Sequence, residues 1–197
     1  SPYPMELIFA TNNLHKIKEV NQILGKTTRL LCLDEAGLSG EIPETGDTLH
    51  ANAAQKAWWV YDRSGKNCFA DDTGLEVEVL GGAPGVYSAR YAGPQCSFDD
   101  NIRKLLVEMK GQSNRKARFR TVVCLILDGK EYFFEGRVDG SILEEKRGSG
   151  GFGYDPVFMP ESGEMSFSEL PDSEKNRISH RGRAVRKMLE FLNKIER

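Results

Sequence analysis

The chain has 197 residues, which is enough for one domain or for two small lobes. Its formal net charge is only −2, so it lacks the basic excess of a protein that coats nucleic acid. The longest apolar run, 122–127, is far shorter than the roughly 20 residues of a membrane-spanning helix. We therefore expect no nucleic-acid partner, no membrane segment, and a single domain over 5–197. Residues 1–4 are expected to be a tag remnant or an N-terminal extension.

The cysteines predict the compartment. None of the four forms a C-x-x-C pair, and three of them lie inside apolar runs. This pattern is typical of buried, reduced thiols rather than of disulfides or structural zinc. We therefore expect a cytoplasmic protein. The four are Cys32, Cys68, Cys96 and Cys124.

Strands and helices are interspersed along the chain, but a hairpin stands in the middle. Asp128-Gly129 between two β-rich runs is a strong hairpin signal. The pattern predicts an α/β protein with a mixed sheet. In the first half we expect a strand over 5–10, a turn at 11–13 followed by a helix, a strand over 30–33, a helix over 47–62 and a strand over 68–70 ending in a turn at 71–74. In the second half we expect a half-buried strand over 75–80, a helix capped by Ser97, strands over 117–127 and 130–138, a glycine-rich loop over 147–155 and a last helix capped by Ser179.

The turn after the first strand has the composition of a phosphate site. Thr11, Asn12 and Lys16 supply hydrogen-bond donors and a positive charge where a helix begins. A helix N-terminus also presents free N–H groups to an anion. The alternative is an ordinary asparagine cap with a solvated lysine.

Two adjacent acids, followed along the chain by a glycine, suggest a metal site. Asp71 and Asp72 follow an apolar strand, and carboxylate oxygens suit Mg²⁺ shared with phosphates. Asn52 and Lys56 lie four apart, so they share one face of the second helix. That lysine is either a solvated group or a cation aimed into a cleft. The alternative for the acids is an ordinary Asp-rich turn.

The glycine-rich loop interleaves small and aromatic residues. Phe152 and Tyr154 offer ring faces to a base, and Asp155 offers a hydrogen-bond acceptor. Its glycines let the backbone approach a ligand closely. His180 and Arg181 begin the last helix and have side chains that suit a base or a phosphate. The alternatives are a flexible loop and a surface helix cap.

Together these stretches resemble the inosine/xanthosine triphosphate pyrophosphatase family. Seven segments match in order and cover nearly the whole chain, which is far more specific than any one of them. They are Ala10–Lys16, Glu44-Thr45-Gly46, Asn52 with Lys56, Ala70–Leu75, Gly81–Gly85 with Ser88–Tyr91, Gly150–Pro156 and Ser179–Gly182.

The resemblance implies an elongated central mixed sheet flanked by helices, with two lobes around a nucleotide cleft. It implies Mg²⁺-dependent hydrolysis of dITP, ITP, XTP and dXTP to the monophosphate and pyrophosphate, usually by a homodimer. It assigns catalysis to Asp72, Lys16 and Lys56, and the metal to Glu44, Asp71 and Asp72. Many relatives carry two adjacent acids where this chain has Pro43-Glu44. The implied substrate contacts are Thr11, Asn12, Asn13, Leu14, His15, Lys16, Asn52, Lys56, Thr73, Phe152, Gly153, Tyr154, Asp155, Lys175, His180 and Arg181.

Two other functions stay open at this point. One is a pyrophosphatase with a different or broader base preference. The other is a nucleotide-binding sensor without catalysis, although a pure binder needs no water-activating carboxylates.

Overall fold

The computed structural model describes residues 5–195. Residues 1–4, for which we expected a tag remnant or an extension, lie outside the described residues. The strands are β1 (Met5–Phe9), β2 (Thr28–Leu31), β3 (Cys68–Val77), β4 (Pro84–Gly85), β5 (Lys116–Leu127), β6 (Lys130–Ile142) and β7 (Phe158–Pro160). The helices are α1 (Leu14–Leu24), α2 (Leu49–Ser64), α3 (Phe98–Glu108), α4 (Asp172–Ile178) and α5 (His180–Ile195).

These strands form one mixed sheet in the order β2-β1-β3-β5-β6-β7, with β4 paired to β3. Strand β1 runs parallel to β2 and β3, whereas the β3–β4 and β6–β7 pairs are antiparallel. The predicted mixed α/β class is therefore confirmed. None of the helices in the described part of the chain is long and apolar enough to cross a membrane.

The chain divides into two compact units. Within the described residues, the first unit comprises 5–72, 121–136 and 181–195, and the second comprises 73–120 and 137–180. Strands β3, β5 and β6 contribute residues to both units. The nucleotide cleft expected between two lobes stays a prediction.

The core of the first unit is built from two helices and three strands. Helices α1 and α5 bury apolar side chains together with residues of β1, β3 and β5. Phe9 and Phe69 stack at its centre, with ring centroids 4.5 Å apart. Each fully buried side chain of this kind contributes about 1.5–3 kcal/mol. This packing fixes the start of α1, which follows the predicted phosphate turn. It also fixes the middle of β3, which carries the paired acids.

The second unit has its own aromatic core. Helix α3 buries Ile102 and Leu105 there. The ring of Phe119 lies 4.6 Å from that of Phe158. The glycine-rich loop predicted over 147–155 adjoins this core, because Tyr154 belongs to the same buried cluster.

Several predicted elements are confirmed. Asn13 caps α1, and the Ser97 side chain accepts a hydrogen bond from the Asp100 N–H at the start of α3. Asp128 and Gly129 both have positive φ, which is the conformation that a two-residue hairpin turn requires. Helix α2 begins two residues later than predicted.

The predicted turn at 71–74 is wrong. Strand β3 continues through these residues to Val77, and Glu78–Leu80 form a 3₁₀ turn instead of a strand end. Aspartate disfavours a buried strand on its own, but here the carboxylates of Asp71 and Asp72 have charged and polar partners within the first unit. Local composition alone did not reveal those partners.

Three smaller differences follow from short elements. Strand β2 lies two residues earlier than the predicted 30–33, and α4 was not predicted. Ser179 directly precedes α5, as expected, but it is also the last-turn cap of α4. An element of seven residues has too few periodic positions to stand out in a sequence.

A substitution at Gly74 tests the close approach of β3 to β4 that the continuous strand requires. Its φ is not in the positive range, and a Cβ placed on it would come 2.6 Å from the Gly85 carbonyl oxygen of β4. We expect Gly74→Ala to lower the free energy of unfolding by about 1–3 kcal/mol because backbone must move to admit the methyl group. The measurement is urea denaturation. A Cβ on Gly163 meets only ordinary contacts, at 3.4 Å or more, so Gly163→Ala is the matched control. Equal stability of the two variants would contradict the β3–β4 approach.

Candidate active site

The turn before α1 is held in shape by its own side chains. Asn13 Oδ1 accepts hydrogen bonds from the N–H groups of His15 (3.0 Å) and Lys16 (3.3 Å). Thr11 Oγ1 accepts one from the Asn13 N–H (3.0 Å). The expected asparagine cap is therefore present, and it is Asn13 that provides it. The turn is organised before any anion binds.

Asn12 connects the same turn to Asp34, which follows β2, by two hydrogen bonds. Its amide nitrogen donates to Asp34 Oδ1 (3.3 Å), and its oxygen accepts from the Asp34 N–H (3.1 Å). Asn12 therefore supports the turn through a reciprocal pair. The side chains of Leu14 and His15, also predicted to touch substrate, are exposed.

The carboxylate of Asp71 pairs with two cations. Its Oδ1 lies 3.1 Å from Lys16 Nζ, and its Oδ2 lies 3.0 Å from Arg181 Nε. Burial alone would raise the pKa of this carboxyl, but Lys16, Arg181 and Lys56 together hold the pKa far below its ordinary value. Asp71 is therefore a permanent negative charge inside the protein.

Arg181 links Asp71 to an acid on α1. Its Nη1 lies 3.1 Å from Glu19 Oε2, and both side chains are buried. Arg181 therefore joins Asp71 to Glu19 within the first unit. The nucleoside contact predicted for Arg181 stays a prediction. Sequence reasoning missed Glu19, since a single acid among the apolar positions of a helix carries no motif.

Asp72 has a different environment from its neighbour. Asn52 Nδ2 donates to its Oδ2 (3.1 Å), and Lys56 Nζ lies 4.0 Å from its Oδ1. Burial raises the pKa of Asp72 to about 6, with Glu44 adding to the rise and the nearby lysines opposing it. A carboxylate with this pKa can accept a proton near neutral pH.

Lys56 lies among the acids. Its Nζ donates to the Asp71 carbonyl oxygen (2.6 Å) and pairs with Glu44 Oε1 at 2.6 Å. Burial lowers the pKa of Lys56, but Asp71, Glu44 and Asp72 outweigh burial and raise the pKa above its ordinary value. Of the two sequence alternatives, the solvated lysine is therefore wrong: Lys56 is buried and protonated.

Lys16 and Glu44 complete the charge set. Burial, with Lys56 and Arg181, lowers the pKa of Lys16, although Asp71 opposes the shift. Burial would raise the pKa of Glu44, but Lys56 outweighs burial and the pKa stays below its ordinary value. The loop that carries Glu44 is tied to α2 because the Gly46 N–H donates to Asn52 Oδ1 (2.7 Å).

The predicted metal ligands do not form one set. Between residues 5 and 195, no three His, Cys, Asp or Glu side chains come together as a group that could hold a metal ion. Both oxygens of Asp71 already face cations, which gives its predicted metal role no support. Glu44 and Asp72 do converge on one ammonium group, and two carboxylates are a common protein share of a Mg²⁺ shell completed by phosphates and water.

Apart from Arg181, the residues predicted to bind the nucleoside lie in the second unit. Lys175 Nζ pairs with Asp155 Oδ2 (2.7 Å) and lies 4.6 Å from the ring centroid of Phe152. The Phe152 N–H donates to the same Asp155 oxygen (3.0 Å). Gly153 has a φ of +61°. These contacts give the glycine-rich loop a defined shape.

Tyr154 and His180 are more buried than a surface loop or cap would allow. The Tyr154 hydroxyl donates to the Ser88 carbonyl oxygen (2.6 Å), and its ring belongs to the core. His180 stacks on Phe119, with centroids 4.5 Å apart and an interplanar angle of 13°. Thr73, which follows Asp72 in β3, is half-buried. The structure thus brings Phe152, Asp155 and Lys175 together and places Tyr154 behind them in the core.

Known proteins give the same picture over nearly the whole length. The model of the Ham1 family matches residues 7–191. The dITP/XTP pyrophosphatase of Porphyromonas gingivalis is 54% identical over 188 residues, covering 95% of this chain and 97% of that protein. The protein of the same name from Flavobacterium johnsoniae is 49% identical and covers 95% and 98%.

Two solved structures superpose on the chain over nearly its whole length. The Staphylococcus aureus Ham1 protein superposes with a TM-score of 0.86 at 36% identity, covering 95% of this chain and 98% of that one. A HAM1 protein from Coxiella burnetii gives a TM-score of 0.88 at 35% identity, covering 96% and 99%. On these matches, the chain belongs to the Ham1 family.

Proposed function

We propose that this protein hydrolyses dITP, ITP, XTP and dXTP to the monophosphate and pyrophosphate, and so removes non-canonical purine nucleotides from the pool. The observation that carries the proposal is the buried carboxylate of Asp72, whose Oδ2 accepts a hydrogen bond from Asn52 and whose Oδ1 lies 4.0 Å from Lys56 Nζ. Buried Lys56 lies beside it, and half-buried Lys16 pairs with the adjacent Asp71, so two cations that suit a polyphosphate are close in the chain's fold. Similar proteins at 54% and 49% identity bear the name dITP/XTP pyrophosphatase, which supports the same substrates here.

The cations of the first unit are assigned to the triphosphate. A nucleoside triphosphate carries about four negative charges, and fixed cations stabilise the charge that develops on the leaving pyrophosphate. Lys16 lies in the first turn of α1, after its Asn13 cap, and Lys56 pairs with Glu44. When the phosphates bind, both ammonium groups exchange part of their carboxylate contacts for phosphate contacts.

Asp72 is assigned to the attacking water. The water oxygen attacks the α-phosphorus, Asp72 takes a proton from the water, and the bond to the bridging oxygen breaks so that pyrophosphate leaves. Asn52 holds the Asp72 carboxylate in place through Oδ2. Asp71 has no part in proton transfer, because its low pKa makes it a poor base at neutral pH.

Glu44 and Asp72 are proposed to hold Mg²⁺. When bound, the ion would neutralise phosphate charge and favour the attack. The two carboxylates already share a cation, Lys56, so their positions suit a positive ligand. Asp71 is left out of this set.

The second unit is assigned to the nucleoside. Phe152 offers a half-buried ring, and the Lys175–Asp155 pair is buried close to it. Donors that pair with a 6-keto group are left unpaired by the 6-amino group of adenine, and this is costly in a buried site. Deaminated purines are therefore preferred to adenine.

We further propose a cytoplasmic homodimer. The resemblance of the motif set to the pyrophosphatase family supports the dimer. All four cysteines are free, which fits a reducing compartment. Sedimentation equilibrium measures the mass of the particle directly.

A substrate panel tests the activity. With Mg²⁺, we expect pyrophosphate release from dITP and XTP with a kcat/KM about 100-fold or more above that for dATP, because adenine leaves buried donors unpaired. Comparable turnover of all three would instead indicate a broad base preference. Nucleotide that stays bound and intact for hours would indicate a sensor.

Replacing the base tests the mechanism. We expect Asp72→Asn to lower kcat by about 10²- to 10⁴-fold, because the variant keeps the shape but loses the proton acceptor. Asp62→Asn, on the exposed face of α2, is the matched control and should keep wild-type kcat.

The pH profile of the wild type checks the same residue. Asp72 acts only when ionised, so kcat/KM should fall tenfold per pH unit below its pKa of about 6. Saturating Mg²⁺ should move this limb to lower pH, because a bound cation favours the carboxylate. A profile that stays flat down to pH 4, or near-normal kcat in Asp72→Asn, would remove Asp72 from this role.

A further inference from the structure

A large exposed aromatic side chain lies beside the glycine-rich loop. Phe98 is the first residue of α3, and 43% of its surface is exposed. Its ring centroid lies 6.4 Å from that of Phe152, with the two planes tilted by 44°. Both residues belong to the second unit. Two neighbouring rings therefore form one aromatic surface that is partly open to solvent.

The residues on either side of Phe98 make polar contacts. Ser97 accepts a hydrogen bond from the Asp100 N–H (3.3 Å), which sets the first turn of α3. Asp99 Oδ1 pairs with Lys146 Nζ at 2.6 Å, just before the glycine-rich loop begins. The start of α3 is thus joined to the loop twice, by an ion pair and by a ring contact.

Phe152 is equally well defined. Its backbone N–H is bound by Asp155, and the Lys175 ammonium lies 4.6 Å from its ring centroid. The loop backbone beside it is fastened as well, since Ser168 Oγ donates to the Gly150 carbonyl oxygen (2.6 Å). A preorganised ring costs little entropy when a ligand stacks on it.

We propose that Phe98 is a second nucleoside-binding residue, which extends the stacking surface of Phe152 for the purine nucleoside of the substrate. The proposal rests on the proposed function, because it assigns a further contact to the same nucleoside. Flat aromatic bases stack on protein rings whatever their hydrogen-bonding edge. Phe98 therefore contributes affinity, whereas discrimination between bases rests on the polar groups.

The test compares four variants with dITP and Mg²⁺. Phe98→Ala should raise the KM by about 2- to 10-fold, the size of one lost aromatic contact, and leave kcat within about twofold. Phe98→Leu, which keeps apolar volume without a ring, should also raise the KM, and Phe98→Tyr should restore it. Val107→Ala removes another exposed apolar side chain of α3 and is the matched control.

Two further readouts separate binding from folding. Calorimetry with dIMP should show a higher Kd in Phe98→Ala than in the wild type. Inhibition by pyrophosphate, which lacks a nucleoside, should not change. An unchanged KM and dIMP Kd in Phe98→Ala would overturn the proposal, as would an equal loss of pyrophosphate inhibition or an equal rise of KM in Val107→Ala. Failure of the wild type to hydrolyse dITP would instead overturn the proposed function.

Discussion

The candidate site depends on the neutralisation of one buried carboxylate, Asp71. Its oxygens face Lys16 and Arg181, and Lys56 binds its carbonyl oxygen. A buried charge without partners costs several kcal/mol, and breaking such an arrangement by removing one partner costs about 3–5 kcal/mol. Asp71 thereby fixes the lysine of α1, the lysine of α2 and the arginine of α5 around one position within β3.

Adjacent residues on a strand point to opposite sides, so the two neighbouring acids have different surroundings. Asp71 is directed to cations that keep it ionised. Asp72 is directed to Asn52, with Lys56 4.0 Å away, and its pKa rises to about 6. One carboxylate therefore organises the charges and its neighbour is left able to accept a proton. The same local sequence yields two roles because the surroundings differ.

Much of the fold could be predicted because its signals are local. The cap at Asn13, the hairpin turn at Asp128-Gly129 and the cap at Ser97 each involve residues a few positions apart. The continuation of β3 through the paired acids could not, because it depends on partners 15 to 110 positions away in the chain. Composition there indicates a turn, and long-range ion pairs override it.

The site shows the same division. The motif set named the candidate residues, but it could not decide whether Lys56 is solvated or buried, since a lysine at this position of α2 is compatible with either environment. Glu19 and Phe98 were missed because neither stands in a motif. Glu19 pairs with Arg181, 162 positions away in the chain, and Phe98 meets Phe152 only in the folded second unit.

Ionised Asp71 stabilises the fold, whereas ionised Asp72 lowers the free energy of unfolding. The most direct test is the free energy of unfolding of Asp71→Asn and Asp72→Asn at pH 7, measured by urea denaturation. Asp71→Asn should lose about 3–5 kcal/mol, because buried Arg181 and half-buried Lys16 lose their shared partner. Asp72→Asn should be at least as stable as the wild type, because a carboxyl whose pKa is raised on folding opposes folding when it is ionised. Equal losses in both variants, or an unchanged Asp71→Asn, would contradict the account.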